Sequence, residues 1–295
     1  MSLKLLKPIT LADKQLFQKF LQQSNYPISE YTFPNLYIWR NYYNFQWIVY
    51  NETLLLFQKT PNDGLIAFPP LASSMKVAYQ TLMRYFNDND LAPEIHRIPE
   101  CALQILRELD LGGTIMEDRD NWDYIHEKIQ LATLSGKKYQ NIRKKLNKFE
   151  HRNNWKYEAI SSENVEEIFD MQNEWCDFRS CSENASLNQE NQGIIELLNN
   201  WNDFELMGGV IRIDGVIAAF TIGECLPKDW MVIHVEKGDV NFDGIYQAIN
   251  YNFIKNIPNT ILWVNREQDL GHESLREAKM RYHPDHFSKK YTYWK

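Results

Sequence analysis

Two short clusters in the C-terminal half combine residue types and spacing that can move a proton and steady a developing negative charge. In Met231-Val232-Ile233-His234-Val235-Glu236-Lys237, strict period-two alternation places Met231, Ile233 and Val235 on one strand face and Val232, His234 and Glu236 on the other. An imidazole beside a carboxylate is a proton-transfer pair. The plainer alternative is a solvated sheet edge or a satisfied core ion pair. The later apolar run Ile261-Leu262-Trp263-Val264 stops abruptly at Asn265-Arg266-Glu267-Gln268-Asp269. Parallel α/β sheets bind ligands beyond the carboxyl ends of their strands, where this cluster falls. Glu236 or Asp269 is expected as the base, with His234 as the alternative, and Arg266, Arg276 and Lys279 as contacts to a phosphate or an oxyanion. Asp269 could instead act only as the N-cap of the next helix. On that helix His272, Arg276 and Lys279 share a face, a cationic stripe or a solvated surface. Tyr282-His283-Pro284 then ends the helix.

A third feature is electrostatic. The net charge is -7, yet Gly136 to Lys156 holds eight Lys or Arg and a single acid, Glu150. Tyr139, Ile142, Leu146 and Phe149 form an apolar stripe at helical spacing, with Lys137, Lys144, Lys145, Lys148 and Arg152 opposite. With Lys138 and Arg143 these make a basic amphipathic helix suited to a tRNA backbone or an anionic membrane surface, or else a solvated helix packed on its domain. After Glu236, Lys237-Gly238-Asp239-Val240-Asn241-Phe242-Asp243-Gly244 has two glycines but no compact glycine-rich phosphate loop.

The elements that must position these groups follow from pattern. A chain of 295 residues is comfortable as two domains, expected at 1–132 and 133–295. In the first, a capping box at Thr10 to Asp13 opens a helix to about Gln23. A second helical stretch, Tyr31 to Tyr43, precedes a hairpin of Phe45–Tyr50 and Thr53–Lys59 and a strand Leu65–Phe68. A helix from Ser73 to Asn87, a strand near Ile95, a helix from Pro99 to Leu109 and strands Gly113–Glu117 and Trp122–His126 complete it. The second half runs in the same order. It has a strand Lys156–Ile160, helices Val165–Trp175 and Glu190–Trp201, a hairpin of Leu206–Ile213 and Val216–Glu224 around Asp214-Gly215, and, past a turn at Pro227, a strand Trp230–Glu236. A helix Gly244–Asn256, the strand Ile261–Val264, a helix Gly271–Lys279 and a strand near Tyr291–Trp294 follow. In each half one helix can serve as a crossover between parallel strands. This α/β order, antiparallel strands first and a parallel pair in the middle, resembles the GNAT acyltransferase fold taken twice in tandem. The first half is read as non-catalytic.

The motifs carry a narrower resemblance. His234-Val235-Glu236-Lys237-Gly238-Asp239, Gly244-Ile245-Tyr246-Gln247, Asn265-Arg266-Glu267 with Asp269-Leu270-Gly271, Leu275-Arg276 with Ala278-Lys279, and the basic segment look like the soluble bacterial relatives of the phosphatidylglycerol lysyltransferase C-terminal domain. The resemblance spans nearly the whole chain. It implies transfer of an aminoacyl group from aminoacyl-tRNA to an amine or hydroxyl acceptor such as a phospholipid headgroup. The peptidoglycan-bridge aminoacyltransferases, also paired GNAT-like domains, are similar in plan. Lys237, Tyr246, Asn265, Arg266, Glu267, Arg276, Lys279 and Tyr282 are expected to bind substrate. Lys137, Lys138, Arg143, Lys144, Lys145, Lys148 and Arg152 are expected to meet the tRNA or an anionic surface.

Two other functions stay open: a coenzyme A dependent N-acyltransferase with an atypical donor loop, since the usual Q/R-x-x-G-x-G/A loop is missing, and a non-enzymatic protein that binds an anionic ligand. No bound cofactor and no metal site are expected. No run approaches the ~18 apolar residues of a membrane span and the first residues do not read as a signal peptide, so the expected location is the cytoplasm or the periphery of the inner membrane face. Cys101, Cys176, Cys181 and Cys225 are read as reduced thiols.

Overall fold

The computed structural model describes residues 6–24, 26–62, 64–110, 112–226 and 229–295; the expected turn at Pro227 lies outside them. In chain order the elements are β1 Lys7–Pro8, α1 Lys14–Ser24, α2 Phe33–Trp39, β2 Phe45–Tyr50, β3 Thr53–Lys59, β4 Leu65–Ala67, α3 Met75–Asp88, β5 Glu94–Pro99, α4 Leu103–Glu108, β6 Thr114–Glu117, β7 Asp123–Glu127, α5 Lys128–Thr133 and α6 Gln140–Arg152. Then come β8 Trp155–Ala159, α7 Val165–Phe178, α8 Ala185–Asn199, β9 Leu206–Ile213, β10 Val216–Leu226, β11 Trp230–Gly238, α9 Ile245–Asn256, β12 Trp263–Asn265, α10 Glu273–Met280, β13 His286–Ser288 and β14 Lys290–Trp294. No helix among the described residues is long and apolar enough to cross a membrane.

The chain falls into two compact units. One comprises residues 1–123, 268–272 and 288–295, the other residues 124–267 and 273–287. This differs from the boundary expected at 132/133, for a topological reason. β7 pairs with β12 rather than with β6, and β14 enters the first sheet between β5 and β6. Strand pairing of that range is set by tertiary contacts and leaves no local mark.

In the first unit the sheet order is β1-β2-β3-β4-β5-β14-β6. The β2–β3 hairpin pairs in regular register from Phe45↔Gln58 to Tyr50↔Thr53, and β4 and β5, joined through α3, are parallel. Thr10 and Asp13 form the expected box, the Thr10 N–H donating to Asp13 Oδ2 at 2.8 Å. Beneath the sheet Leu55, Phe57, Tyr79, Phe86 and Ile95 pack with Tyr291 and Tyr293 of β14.

β14 also delivers a charge into this unit. Lys290 is 0% exposed, with its ammonium 2.5 Å from Glu30 Oε2 and 2.6 Å from Asp123 Oδ1. Ser29 donates its backbone N–H to Asp123 Oδ2 at 2.8 Å, and Arg97 bridges Glu30 and Asp118.

In the second unit the sheet order is β13-β7-β12-β11-β10-β9-β8. β9 and β10 form the hairpin around Asp214 and Gly215, both at positive φ (50° and 91°), as a two-residue hairpin turn requires. β11 and β12 are parallel and joined by α9. One sheet face carries α5, α6 and α9, with Leu146, Phe149, Ile249 and Phe253 at its core. The other carries α7 and α8, with Ile168, Met171, Ile194 and Leu198.

Two of the four cysteines depart from the reading as thiols. Cys176 and Cys181 form a disulfide with Cα atoms 5.1 Å apart. The chain reverses at Ser180, whose φ is 50°, and this turn brings together two cysteines whose spacing alone carried no signal. Cys101 and Cys225 are free.

Replacing Lys290 by Met should leave Glu30 and Asp123 buried without their shared cation. Urea denaturation is expected to show a loss of ~3–5 kcal/mol; a change under ~1 kcal/mol would show that the pair does not depend on it.

Candidate functional site

The site grows from one irregularity in the second unit. Along β10 and β11 the paired residues are Ile222↔Val235 and then Gly223↔Ile233, so His234 is an extra residue in β11. This is a β-bulge, and it reverses the facing of every later side chain. Before it, Met231 and Ile233 pack with α9. After it, Val235 packs with α7 and α8, and Glu236 accepts a hydrogen bond from Asn250 of α9 at 2.8 Å. The expected sharing of one face by His234 and Glu236 is thereby corrected, because strict alternation assumes a strand without insertions.

His234 is held from both sides. Its Nδ1 is 2.7 Å from Glu267 Oε1 and its Nε2 is 2.8 Å from Glu224 Oε1, with the side chain 1% exposed. Burial opposes the charged ring, but the two carboxylate hydrogen bonds and their charges outweigh it and push its pKa up to about 10. The ring is therefore an imidazolium at neutral pH, donating through both nitrogens. A group in that state steadies structure and offers no lone pair to a substrate.

β12 ends at Asn265, opposite Val232, whereas β11 runs on to Gly238. Past that point the two faces of β11 carry opposite charge. Towards α9 lies Glu236, 3.1 Å from Arg266 Nη2, with side chains 15% and 11% exposed. The Arg266 guanidinium lies over the Tyr282 ring, 4.2 Å from its centre, and burial pushes the Tyr282 hydroxyl up to about 12. Towards α7 and α8 lies Lys237, 2.8 Å from Glu190 and 3.8 Å from the centre of the Trp175 ring. The Trp175 indole N–H donates to the Tyr246 hydroxyl at 3.3 Å, whose pKa is raised, chiefly by burial.

Asn265 is buried and its side-chain oxygen accepts the Glu267 N–H at 2.7 Å, shaping the turn that presents Glu267 to His234. Lys279 donates to the Arg266 carbonyl at 2.6 Å, fixing the backbone behind that guanidinium. Arg276 is half-buried on α10. Asp269 belongs to the first unit. It is 0% exposed, 3.1 Å from Arg119, and accepts the Gly271 N–H at 2.9 Å, so its carboxylate is engaged in an ion pair and a turn.

The basic segment forms α6, with Ile142, Leu146 and Phe149 buried. Lys137, Lys138, Lys144, Lys145, Lys148 and Arg152 are exposed. Arg143 differs, being half-buried and donating to the carbonyls of Leu134 and Gly136. Lys148 is 2.5 Å from Asp243. Gly244 fixes the loop after β11 against this helix: its φ is 95°, and a Cβ there would sit 2.5 Å from the Lys145 carbonyl oxygen.

Several site residues escaped the sequence reading. Asn250 had a signal, as a polar residue one helical turn from Tyr246 on an otherwise buried face of α9. Glu224, Glu190 and Trp175 sit on elements remote in sequence, and nothing local marks them.

The raised pKa of His234 makes a pH prediction with a definite sign. Its folded value exceeds the unfolded 6.5, so the stabilisation is fully present below pH 6.5 and is lost as pH rises towards 10. The unfolding free-energy difference between wild type and His234→Gln, from denaturant titrations, is expected to be on the order of 2–5 kcal/mol at pH 6 and to shrink steadily to pH 10. A pH-independent difference would mean that the ring is not charged.

Residues 21–294 match the family described as "Phosphatidylglycerol lysyltransferase, C-terminal", an aminoacyltransferase domain at the level of the family. A solved protein of unknown function from Bacteroides thetaiotaomicron is 30% identical, with 98% of each chain covered and a TM-score of 0.89. L-PGS from Bacillus licheniformis is similar in fold at 15% identity, covering 96% of this chain and 92% of its own, with a TM-score of 0.68. FemX is similar in fold at 10% identity, with 98% and 96% covered and a TM-score of 0.61. No curated protein matches the sequence. The tandem GNAT-like architecture suggested by the order of elements is shared with these folds. By the match over almost its entire length, the chain belongs to the phosphatidylglycerol lysyltransferase C-terminal family.

Proposed function

We propose that this protein transfers an aminoacyl group from aminoacyl-tRNA to an amine or hydroxyl acceptor, with Glu236 as the base. The observation that carries this reading is the Glu236 carboxylate oriented by Asn250 and Arg266 where β11 outruns β12. The family match supports an aminoacyl donor. The loop Lys237–Gly244 lacks the glycine pattern that would cradle a coenzyme A pyrophosphate.

The chemistry is substitution at an ester carbonyl. The acceptor's nitrogen or oxygen forms a bond to the carbonyl carbon while its proton passes to Glu236. The tetrahedral intermediate carries negative charge that a nearby guanidinium, that of Arg266, would stabilise. Collapse breaks the ester bond, and the proton returns to the departing ribose oxygen of the tRNA. His234 sets the strand geometry in this scheme, and Lys237 is neutralised by Glu190. The exposed face of α6 supplies the long-range attraction for the tRNA backbone.

Every phosphate that a lysine no longer neutralises should reduce the salt dependence of binding by roughly one unit on a log–log plot. Reversing Lys144, Lys145 and Lys148 to Glu is therefore expected to weaken tRNA binding at least ~10-fold and to flatten that slope, with Lys148 contributing least because Asp243 already pairs with it. Glu236→Gln should abolish transfer of a radiolabelled aminoacyl group while leaving tRNA affinity unchanged. Salt-insensitive tRNA binding, or none, would sink the proposal, and a thermal shift with acetyl-coenzyme A but not with tRNA would replace the donor.

A further inference from the structure

α7 and α8 pack on one side of β11, and a covalent bond closes the link between them. Cys176, near the end of α7, is joined to Cys181, just past the turn at Ser180. Both cysteines are buried. The residues around them, 177–180 and 182–184, are exposed.

The contacts along this pair of helices are nested. Deepest, Ile168 and Met171 of α7 pack with Ile194 and Leu198 of α8, and the Gln172 side-chain amide donates to Asn191 Oδ1 at 2.9 Å. Outermost is the Cys176–Cys181 bond. Between these two fastenings stand the two residues that hold Lys237: Trp175, whose ring centre is 3.8 Å from the ammonium, and Glu190, 2.8 Å from it. Trp175 is the chain neighbour of Cys176, and its indole N–H is bonded to Tyr246.

A crosslink over so short a span does little as a global staple. The chain entropy that a disulfide removes grows with the length of the loop it closes, and this unit already packs apolar cores on both faces of its sheet. Cys101 and Cys225 remain thiols, so the protein is not built on a disulfide framework. The effect of the bond is local. It fixes the end of α7 where Trp175 stands, beside an exposed turn that can open without disturbing the core.

We propose that the Cys176–Cys181 bond is a redox-sensitive latch on Lys237. Closed, it keeps Trp175 and Glu190 on the ammonium, whose side chain is 7% exposed. It opens by exchange with a dithiol. One thiolate of the reagent attacks a cystine sulfur, forms a mixed disulfide and expels the other cysteine as a thiolate; the reagent's second thiolate then displaces the remaining cysteine and closes its own disulfide. Two electrons pass from the dithiol to the cystine, and the dithiol's two protons end on the Cys176 and Cys181 sulfurs. With the latch open, the turn loosens outward from Gln172 and Asn191, and Lys237 is released to water and to anionic groups. The latch works in the same way whichever donor or acceptor the protein uses.

The experiment compares the intact protein oxidised with diamide and reduced with dithiothreitol. Alkylation of free thiols, counted by mass spectrometry, is expected to find Cys101 and Cys225 in the first state and all four cysteines in the second. Trace acetylation with acetic anhydride, mapped to peptides, should then modify Lys237 about tenfold faster after reduction, and amide exchange should quicken over residues 175–190 while β9 and β10 stay protected. Reoxidation should restore the slow rates. A Cys176→Ser/Cys181→Ser double variant should match reduced wild type with or without dithiothreitol, and reduced wild type carries the test if that variant does not fold. Failure of diamide to close the bond, or equal acetylation of Lys237 in the two states, overturns the latch. Loss of protection across the whole unit on reduction also overturns it and makes the bond a structural staple. No measurement involves tRNA or transfer, so failure of the latch and failure of the aminoacyl reading are separate results.

Discussion

The second unit depends on a single inserted residue. A strand without the insertion at position 234 would present Glu236 to α7 and α8 and Lys237 to α9, exchanging the sign of charge on the two faces of the sheet. The bulge forbids that arrangement, and the bulge is itself held by an imidazolium between Glu224 and Glu267. Charge-assisted hydrogen bonds in a water-poor setting are among the stronger polar interactions available to a fold, and they are used here to fix a backbone irregularity. Glu236 can lie between Asn250 and Arg266 because His234 cannot turn away.

The charges of this unit are organised on two scales. Inside, each is matched: Glu236 with Arg266, Lys237 with Glu190, His234 with two carboxylates. Matched pairs are tolerated in a buried place where isolated charges are not. Outside, the lysines of α6 face water and act over roughly a Debye length of ~8–10 Å or more in dilute salt. A chain of net charge -7 thus carries a local attractive surface against an overall repulsive background, which favours oriented approach of a polyanion over indiscriminate adhesion.

How much of this was legible depended on whether the signal was local. The hairpins could be read because alternation and turn residues are short-range features, and Phe45–Tyr50, Thr53–Lys59 and Leu206–Ile213 stand where the pattern put them. The crossover from β11 through α9 to β12 followed from an apolar helix between two apolar runs. The bulge was illegible, because an inserted residue is defined only against the partner strand, and so the shared face of His234 and Glu236 was a wrong inference from a correct strand. The exchange of β7 and β14 between sheets, and the disulfide closed by the turn at Ser180, were hidden for the same reason.

The position of β14 has a consequence for biosynthesis. β6 pairs in its sheet with β14 and with no other strand among the described residues, and the residues of β14 follow all those of the second unit in the chain. During translation the ribosome therefore releases the entire second unit before the first sheet can receive its penultimate strand. The usual sequence, in which the N-terminal part finishes folding first, is not open to this protein. Its first unit must wait as an incomplete sheet with the edge of β5 unpaired, an edge that a chaperone or a neighbouring nascent chain could meet before β14 does.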